Sequence, residues 1–361
     1  MGRRLRALRS RRRDPGRRLR AGPRGMRVAA SAPARANLIG NPSDLYGGAV
    51  LGCAVPCRAS VEIDDAPRLE LATGAERTAL ETASDLRLRG DRFDVARAAL
   101  GALPDPLALR ARIAYRSEIP YGSGLAGSTA LLVALLRALA AWRGETPSPY
   151  ELAERSRRTE RELLGVACGW VDHYLCCFGG LRYVDLRGKE RDDAAPGEPF
   201  ATVEDLAPWA PALPFVLAFT GVSHHSGSVH APIRARWEQG DAVVVRAYQR
   251  IAAIAREGKS ALLRGDWPRL GALMNENHAL QRELGGSGAP NEKSIAAALG
   301  AGALGAKLAG AGGGGTIVAL WTEPDAAPLE RALRGAGATH LYRPSPVAGV
   351  ALDFDRTEEI P

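Results

Sequence analysis

A chain of 361 residues with 46% hydrophobic and 24% charged side chains exceeds the ~100–200 residues of one ordinary domain, which predicts two domains or one large one and excludes a disordered or fibrous class. Its formal charge of +8 does not describe a nucleic-acid-binding face: residues 1–25 hold eleven arginines against Asp14, and the remaining 37 bases and 39 acids leave the body from Met26 onward near neutral, so nucleic acid is excluded as the main partner. A membrane partner is excluded as well, because no apolar run approaches the roughly 20 residues that cross a bilayer; the longest, Ala130 to Leu136, stops at Arg137.

The Arg-rich leader, residues 1–25, lacks the apolar core of a secretory signal and is expected to be disordered. It reads as a translation start placed early, with Met26 the true start, or as an organelle-type presequence or polyanion-binding arm. Five cysteines, Cys53, Cys57, Cys168, Cys176 and Cys177, are an odd number without zinc spacing. They suit free, buried thiols in a reducing compartment, and with no export signal the expected location is cytoplasmic.

Short β-branched and apolar runs predict strands near 27–31, 36–39, 50–55 and 59–64. Residues 65–110 are mixed, with an amphipathic helix at 92–102 closed by Pro104. The pattern then sharpens: RARIAYRSE reads as a strand, IPYGSGLAG as a glycine-rich turn, and STALLVALLRALAAW as a helix apolar on most sides. Pro147 and Pro149 introduce a second helix through about Leu164. A Pro-rich, acidic stretch at 188–213 separates the strands LRYVDL and FVLAFT and marks a domain boundary. Beyond it the order is strand 215–220, helices at about 229–238, 241–263, 266–284 and 291–302, strand 316–321, helix 324–335 and strand 347–353. That mixture argues α+β for the second half.

Two glycine loops carry chemistry. Gly122-Ser-Gly-Leu-Ala-Gly127 satisfies GxGxxG between a strand and a helix, yet it comes some hundred residues too late for a Rossmann fingerprint, and the acid about 20 residues on, Glu145, sits in a helix-to-helix connection rather than at the end of a second strand. The octet to Thr129 fits GxxxxGK[ST] except that Ser128 stands where the phosphate-binding lysine belongs. What both patterns share is backbone N–H groups exposed at a helix start, which favour phosphate; a tight turn that needs glycine for packing is the competing reading. The second loop, Lys307-Leu-Ala-Gly-Ala-Gly-Gly-Gly-Gly-Thr316, costs more backbone entropy than a connector requires, which argues for close approach to a ligand or another loop.

With Pro33-Ala-Arg-Ala-Asn-Leu-Ile-Gly-Asn-Pro-Ser-Asp44, these loops make three ordered blocks, the others being Ile119 to Thr129 and Lys307 to Gly315. In order and spacing they resemble the GHMP small-molecule kinases over about residues 26–361. The resemblance implies a two-domain α+β fold: after the leader at 1–25, an N-terminal α/β ATP-binding domain at 26–205 and a C-terminal ferredoxin-like α+β domain at 206–361, with the site in the cleft between them. GNPSD followed by Tyr46-Gly-Gly, Ser226-Gly-Ser-Val-His230 with Arg234-Ala-Arg-Trp237, and Leu273-Met-Asn275 with Asn277 are most similar to glucuronokinase. Galactokinases usually have Glu-His where this chain has Asn41-Pro42.

By that resemblance Pro120, Gly122, Ser123, Gly124, Leu125, Ala126, Gly127 and Ser128 cradle ATP phosphates. Ser128 and Glu160 ligate Mg²⁺, Asp172 accepts the hydroxyl proton as catalytic residue, and Arg35 stabilises Asp172 or the transferring phosphoryl. Asn41, Asp44, Tyr46, Asp172, Arg234, Gly310, Ala311 and Gly312 are the acceptor-binding set. Gly127 replaces the first of two serines in the family pattern. Read without the resemblance, Glu160 is a solvated helix acid beside Arg157 and Arg161, Asp172 a helix cap or salt-bridge partner, Arg35 a strand-edge cation and Asp44 an Asx-turn residue.

The expected activity is ATP- and Mg²⁺-dependent transfer of the γ-phosphoryl group to a sugar, at the anomeric hydroxyl of a uronic acid, by a monomer or homodimer. The substrate carboxylate would meet Arg234, Arg236, His230 or Arg182, while His224 and His225 read as loop residues. The alternatives are another GHMP kinase of mevalonate, heptose or galactose type, or a relative that binds sugar or nucleotide without catalysis.

Overall fold

The computed structural model describes residues 27–190, 197–223 and 226–356. The leader and the His224–His225 pair lie outside the described residues. In chain order the elements are β1 (Arg27–Ile39), β2 (Ala49–Asp65), β3 (Glu70–Thr73), β4 (Glu76–Ala79), α1 (Asp94–Gly101), β5 (Ala111–Ser117), α2 (Gly127–Trp142), α3 (Pro149–Glu162), α4 (Val171–Phe178), β6 (Leu181–Asp185) and β7 (Thr202–Asp205). There follow β8 (Phe215–Phe219), α5 (Ser226–Glu238), α6 (Ala242–Arg264), α7 (Trp267–Glu283), α8 (Ala289–Gly300), β9 (Gly305–Leu308), β10 (Thr316–Leu320), α9 (Ala327–Gly335), β11 (His340–Tyr342) and β12 (Ala351–Arg356).

Two sheets organise the chain. The first runs β12-β1-β2-β5-β3-β4, with β6 pairing β2 and β7 pairing β6. The strands expected separately at 27–31 and 36–39 are one continuous β1, because Pro33 is accommodated at a register shift between Pro33 and Ala34. Its alanines at 29, 30, 32, 34 and 36 are all buried, and such small side chains let helices approach the strand closely. Helix α2 buries residues on every side, including Leu132, Val133, Leu135, Leu136 and Leu139, as its all-round apolar sequence requires.

The second sheet, β11-β8-β10-β9, is antiparallel throughout. Numbered by chain position that is the 4-1-3-2 order of a ferredoxin-like βαββαβ unit. Alternation divides its faces. Val216, Ala218, Ile317 and Ala319 pack with Ile295, Ala298, Leu329 and Leu333 from α8 and α9. Phe215, Leu217, Val318 and Leu320 join Ile254, Leu262, Leu273 and Met274 of α6 and α7 in the main core.

The strand expected at 347–353 within the second half appears as β12, antiparallel to β1 from Arg27↔Arg356 to Ser31↔Ala351. The chain end therefore returns to the first sheet and covers the otherwise open edge of β1. The short strands β3, β4, β7, β9 and β11, and the eight-residue α4, carry too few periodic residues to read from sequence. Among the described residues no helix is long and apolar enough to cross a membrane.

Candidate active site

The site forms where the turn before α2, the start of α4 and the loop after β9 meet the middle of β1. In that turn Gly122 (φ 65°), Gly124 (φ 73°) and Ala126 (φ 60°) are all left-handed. Every second residue in that conformation turns successive N–H groups toward one side and forms a concave anion nest. The nest opens onto the N-terminus of α2, whose unpaired amides and dipole also favour negative charge. Ala126 is the one described non-glycine residue with positive φ, a strained backbone position at the helix entry.

The nest is held from three sides. Arg35 N–H donates to Leu125 O (3.1 Å) and its Nη1 to Gly124 O (2.7 Å). Thr316 Oγ1 donates to Ser123 O at 2.8 Å, and Ser223 Oγ to Tyr121 O at 3.0 Å. A Cβ on Gly310 would stand 3.0 Å from Gly124 O, so the two glycine loops abut and the later one needs its glycine for that approach. Gly312 is tighter: its Cβ would lie 2.0 Å from Gly286 O. Ala311 is buried between them. Asn291 fixes the same loop by pairing its Nδ2 and Oδ1 with the Gly314 carbonyl and amide, each at 2.8 Å.

Facing the nest, Arg35 and Asp172 form a two-pronged ion pair, Nε to Oδ1 at 2.7 Å and Nη2 to Oδ2 at 2.5 Å. Arg35 is 6% exposed and Asp172 33% exposed at the side chain, so the guanidinium is sealed while the carboxylate is partly exposed. Burial works against the Arg35 charge, but Asp172 outweighs it and holds the guanidinium above its ordinary pKa. The fork matches a carboxylate in a way a lysine could not.

Asp44 arrives from the 3-10 turn Ser43–Tyr46 and accepts hydrogen bonds at Oδ2 from the amides of Trp170 (3.0 Å) and Val171 (3.2 Å). It thereby caps α4 and sets the height of Asp172 one residue on. A Cβ on Gly169 would fall 2.0 Å from Asp44 Oδ2, so glycine is obligatory there. Burial, and then the charge of Asp172, push the Asp44 carboxyl above its ordinary range.

Asn41 links the first block to the last. Its Nδ2 donates to Gly310 O (3.3 Å), its Oδ1 accepts from Lys307 Nζ (2.5 Å), and its carbonyl accepts from Asn277 Nδ2 (3.2 Å). Lys307 is fully buried, donates also to Leu308 O, and has no carboxylate partner among the described residues. Burial, and then the charge of Arg35, push its ammonium down to about 7. Sequence reading passed over Lys307 as a site residue. The available signal was composition: it is one of four lysines in a chain with 44 arginines, and it heads the second glycine loop.

Glu160 is buried at the end of α3 and accepts at Oε2 from Thr129 Oγ1 (3.0 Å), with His173 Nε2 2.7 Å away. The described residues contain no hydrogen bond between Ser128, exposed in the first turn of α2, and Glu160; Thr129, the next residue, makes that contact. The buried Glu160 carboxylate beside the Thr129 hydroxyl is a hard-oxygen donor pair of the kind Mg²⁺ takes, with waters and phosphate completing six positions. Thr129 and His173 were not expected from sequence.

The remaining acceptor candidates divide. Tyr46 stacks on Tyr248 at 3.9 Å and tilts against Trp237 at 5.1 Å. Arg234, on α5, is close enough to act on the Tyr46 hydroxyl, and its Nε donates to Glu238 at 2.7 Å. Arg236 is held by Asp241 at 2.9 Å. Arg182, in β6 just beyond α4, is held by Asp205 at 2.8 Å and by Gly179 O at 2.9 Å. The His230 side chain lies outside the described residues.

Residues 93–180 match the family described as GHMP kinases N terminal domain, and residues 259–339 the one described as GHMP kinases C terminal. Residues 21–63 match the galactokinase galactose-binding signature. The chain is 30% identical to the mevalonate kinase of Methanothermobacter thermautotrophicus over 301 residues, 81% of this chain and 90% of that one. Its likeness to the probable glucuronokinase 2 of Arabidopsis thaliana, 32% identity, extends over 208 residues, 56% of this chain and 55% of the plant protein. The special nearness to glucuronokinase expected from sequence is thus a partial match beside nearly full-length likeness to mevalonate kinase. The galactokinase of Lactococcus lactis complexed with galactose shares the fold at TM-score 0.75 and 17% identity, over 90% of this chain and 95% of that one. The chain belongs to the GHMP kinases, as an ATP-dependent phosphotransferase with an alcohol group as acceptor.

Proposed function

We propose that the acceptor is a hydroxylated carboxylic acid of sugar type, phosphorylated at the anomeric hydroxyl of a uronic acid. The observation that carries the reading is the Arg35–Asp172 pair, its carboxylate partly exposed and its guanidinium also holding the glycine turn at Gly124 O. The galactose-binding signature supports a sugar, since it spans Arg35, Asn41, Asp44 and Tyr46. Arg234 lies close enough to act on Tyr46 of that turn, and a substrate carboxylate would exchange with Glu238 for it.

In this reading the backbone amides of 122–128 hold the ATP phosphates, and Arg35 fixes and aims the Asp172 carboxylate. Asp172 takes the hydroxyl proton as the acceptor oxygen bonds to the γ-phosphorus and the bond from that phosphorus to the bridging oxygen breaks, the oxygen leaving with ADP. Asp44 and Asn41 hold sugar hydroxyls, with Gly310, Ala311 and Gly312 closing over them. Glu160 and Ser128 would hold Mg²⁺, which when bound neutralises phosphate charge. Mevalonate is the second reading, favoured by the near full-length relatives; it too offers a carboxylate and a hydroxyl.

ADP release across uronic acids, neutral sugars and mevalonate, with the phosphorylated position assigned by NMR, tests the proposal. Turnover on a uronic acid with phosphate at the anomeric oxygen is the expected result. Turnover confined to mevalonate, or to neutral sugars, overturns it.

A further inference from the structure

Below the start of α2, three donors of different chemistry converge. Glu160 comes from the end of α3, His173 from the first turn of α4, and Cys168 from the loop between them. A carboxylate oxygen, an imidazole nitrogen and a thiol sulfur, one from each, all lie within 4.8 Å of one another. Glu160 is 4% exposed and His173 wholly buried. Among the described residues His173 Nδ1 has no hydrogen-bond partner, and the Cys168 thiol has only a long contact to Arg157 O at 4.0 Å. A buried polar atom left unpaired costs free energy, so its retention asks for a reason.

Mg²⁺ takes oxygen ligands and makes no use of the sulfur and the imidazole. A carboxylate, a thiolate and an imidazole together suit Zn²⁺ and its softer neighbours, whose bonds of ~2.0–2.3 Å need only small closing movements of such a cluster.

We propose that Glu160, Cys168 and His173 form a binding site for a thiophilic divalent cation of the Zn²⁺ type. Three protein ligands leave the fourth tetrahedral position to water. On binding, the Cys168 S–H bond breaks, its proton leaves to solvent, and a metal–sulfur bond replaces it; nothing is oxidised or reduced. Neutral His173 contributes a nitrogen lone pair. Because Glu160 is shared, the bound cation withdraws that carboxylate from Mg²⁺, so the site inhibits phosphoryl transfer. The inhibition rests on the proposed role of Glu160 toward Mg²⁺; the binding does not.

Co²⁺, a coloured stand-in for Zn²⁺, is titrated into the reduced full-length protein without nucleotide. One equivalent is expected to raise a thiolate-to-cobalt charge-transfer band that Zn²⁺ bleaches. Cys168→Ser, which retains the other four cysteines, is expected to lack the band. His173→Gln, which can keep a hydrogen bond to Glu160, is expected to lack it too. No band in the wild-type protein, or an equal band in Cys168→Ser, overturns the proposal. At fixed Mg²⁺, Zn²⁺ is expected to inhibit the wild type, and Cys168→Ser to need at least ~10-fold more, the lower end of what losing even an outer partner costs. A wild-type band without inhibition upholds the metal site and removes Glu160 from the Mg²⁺ reading. Inhibition at the same Zn²⁺ concentration in Cys168→Ser places the inhibitory ion elsewhere and overturns the proposed control.

Discussion

Replacing Lys307 with methionine sets two effects against each other at one buried atom. The ammonium is fully buried and pushed from 10.5 to about 7, by burial first and then by Arg35. At ~1.4 kcal/mol per pKa unit, that shift is on the order of 5 kcal/mol of penalty when the folded protein carries the charge. Methionine removes the penalty but leaves Asn41 Oδ1 and Leu308 O without their donor, at ~1–3 kcal/mol each. Near pH 7 the two effects offset, and Lys307→Met is expected to be close to neutral in stability. Between about 7 and 10.5 the unfolded chain binds the proton that the folded chain has released. Wild-type stability therefore rises with pH by up to ~1.4 kcal/mol per unit relative to the variant. Below that window both states are protonated and Lys307 adds no slope. Urea unfolding of both proteins at pH 7 and pH 9 reads the effect, with the gap expected to widen by ~2–3 kcal/mol. Parallel pH profiles for the two proteins would refute a depressed Lys307 and the account of the Asn41 link built on it.

Asp172→Asn is expected to lower kcat by ~10²–10⁴, the usual range for a lost general base, while nucleotide affinity measured by calorimetry stays within a few-fold; unchanged turnover sinks its role. Ala126→Gly removes a left-handed strain of ~1–2 kcal/mol against a glycine entropy cost of ~0.5–1. A small net gain in stability is therefore expected by thermal denaturation, and a clear loss would show that Ala126 is not strained. Gly169→Ala drives a methyl into Asp44 Oδ2, breaking the two hydrogen bonds that the Trp170 and Val171 amides donate to a buried carboxylate. Stability should fall by ~2 kcal/mol or more and kcat should fall with it as α4 shifts. A variant with wild-type kcat contradicts the account of Asp44 as the cap that sets Asp172.

Much of the site was legible as pattern. The blocks around Arg35, Gly122 and Lys307 stand out because close backbone approach admits only glycine, and because a permanent cation in an apolar strand needs a partner. The sequence could not say which acid pairs with Arg35, since Asp172 lies 137 residues away. Nor could it say that Thr129, rather than Ser128, meets Glu160: a helix separates neighbouring residues by ~100° of rotation, so one position decides which hydroxyl faces inward. Arg182, Arg234 and Arg236 looked equally available to a substrate carboxylate, and each proves already held by an acid.

Local chemistry alone determined the buried helix α2, the two glycine loops and the proline-marked starts of the helices, because each follows from residues within one or two turns of each other. The continuity of β1 through Pro33, the return of β12 to the first sheet, the burial of Lys307 and the gathering of Glu160, Cys168 and His173 were decided only by tertiary structure. These depend on which distant surfaces exclude water together, and that free energy belongs to the packed whole rather than to any segment.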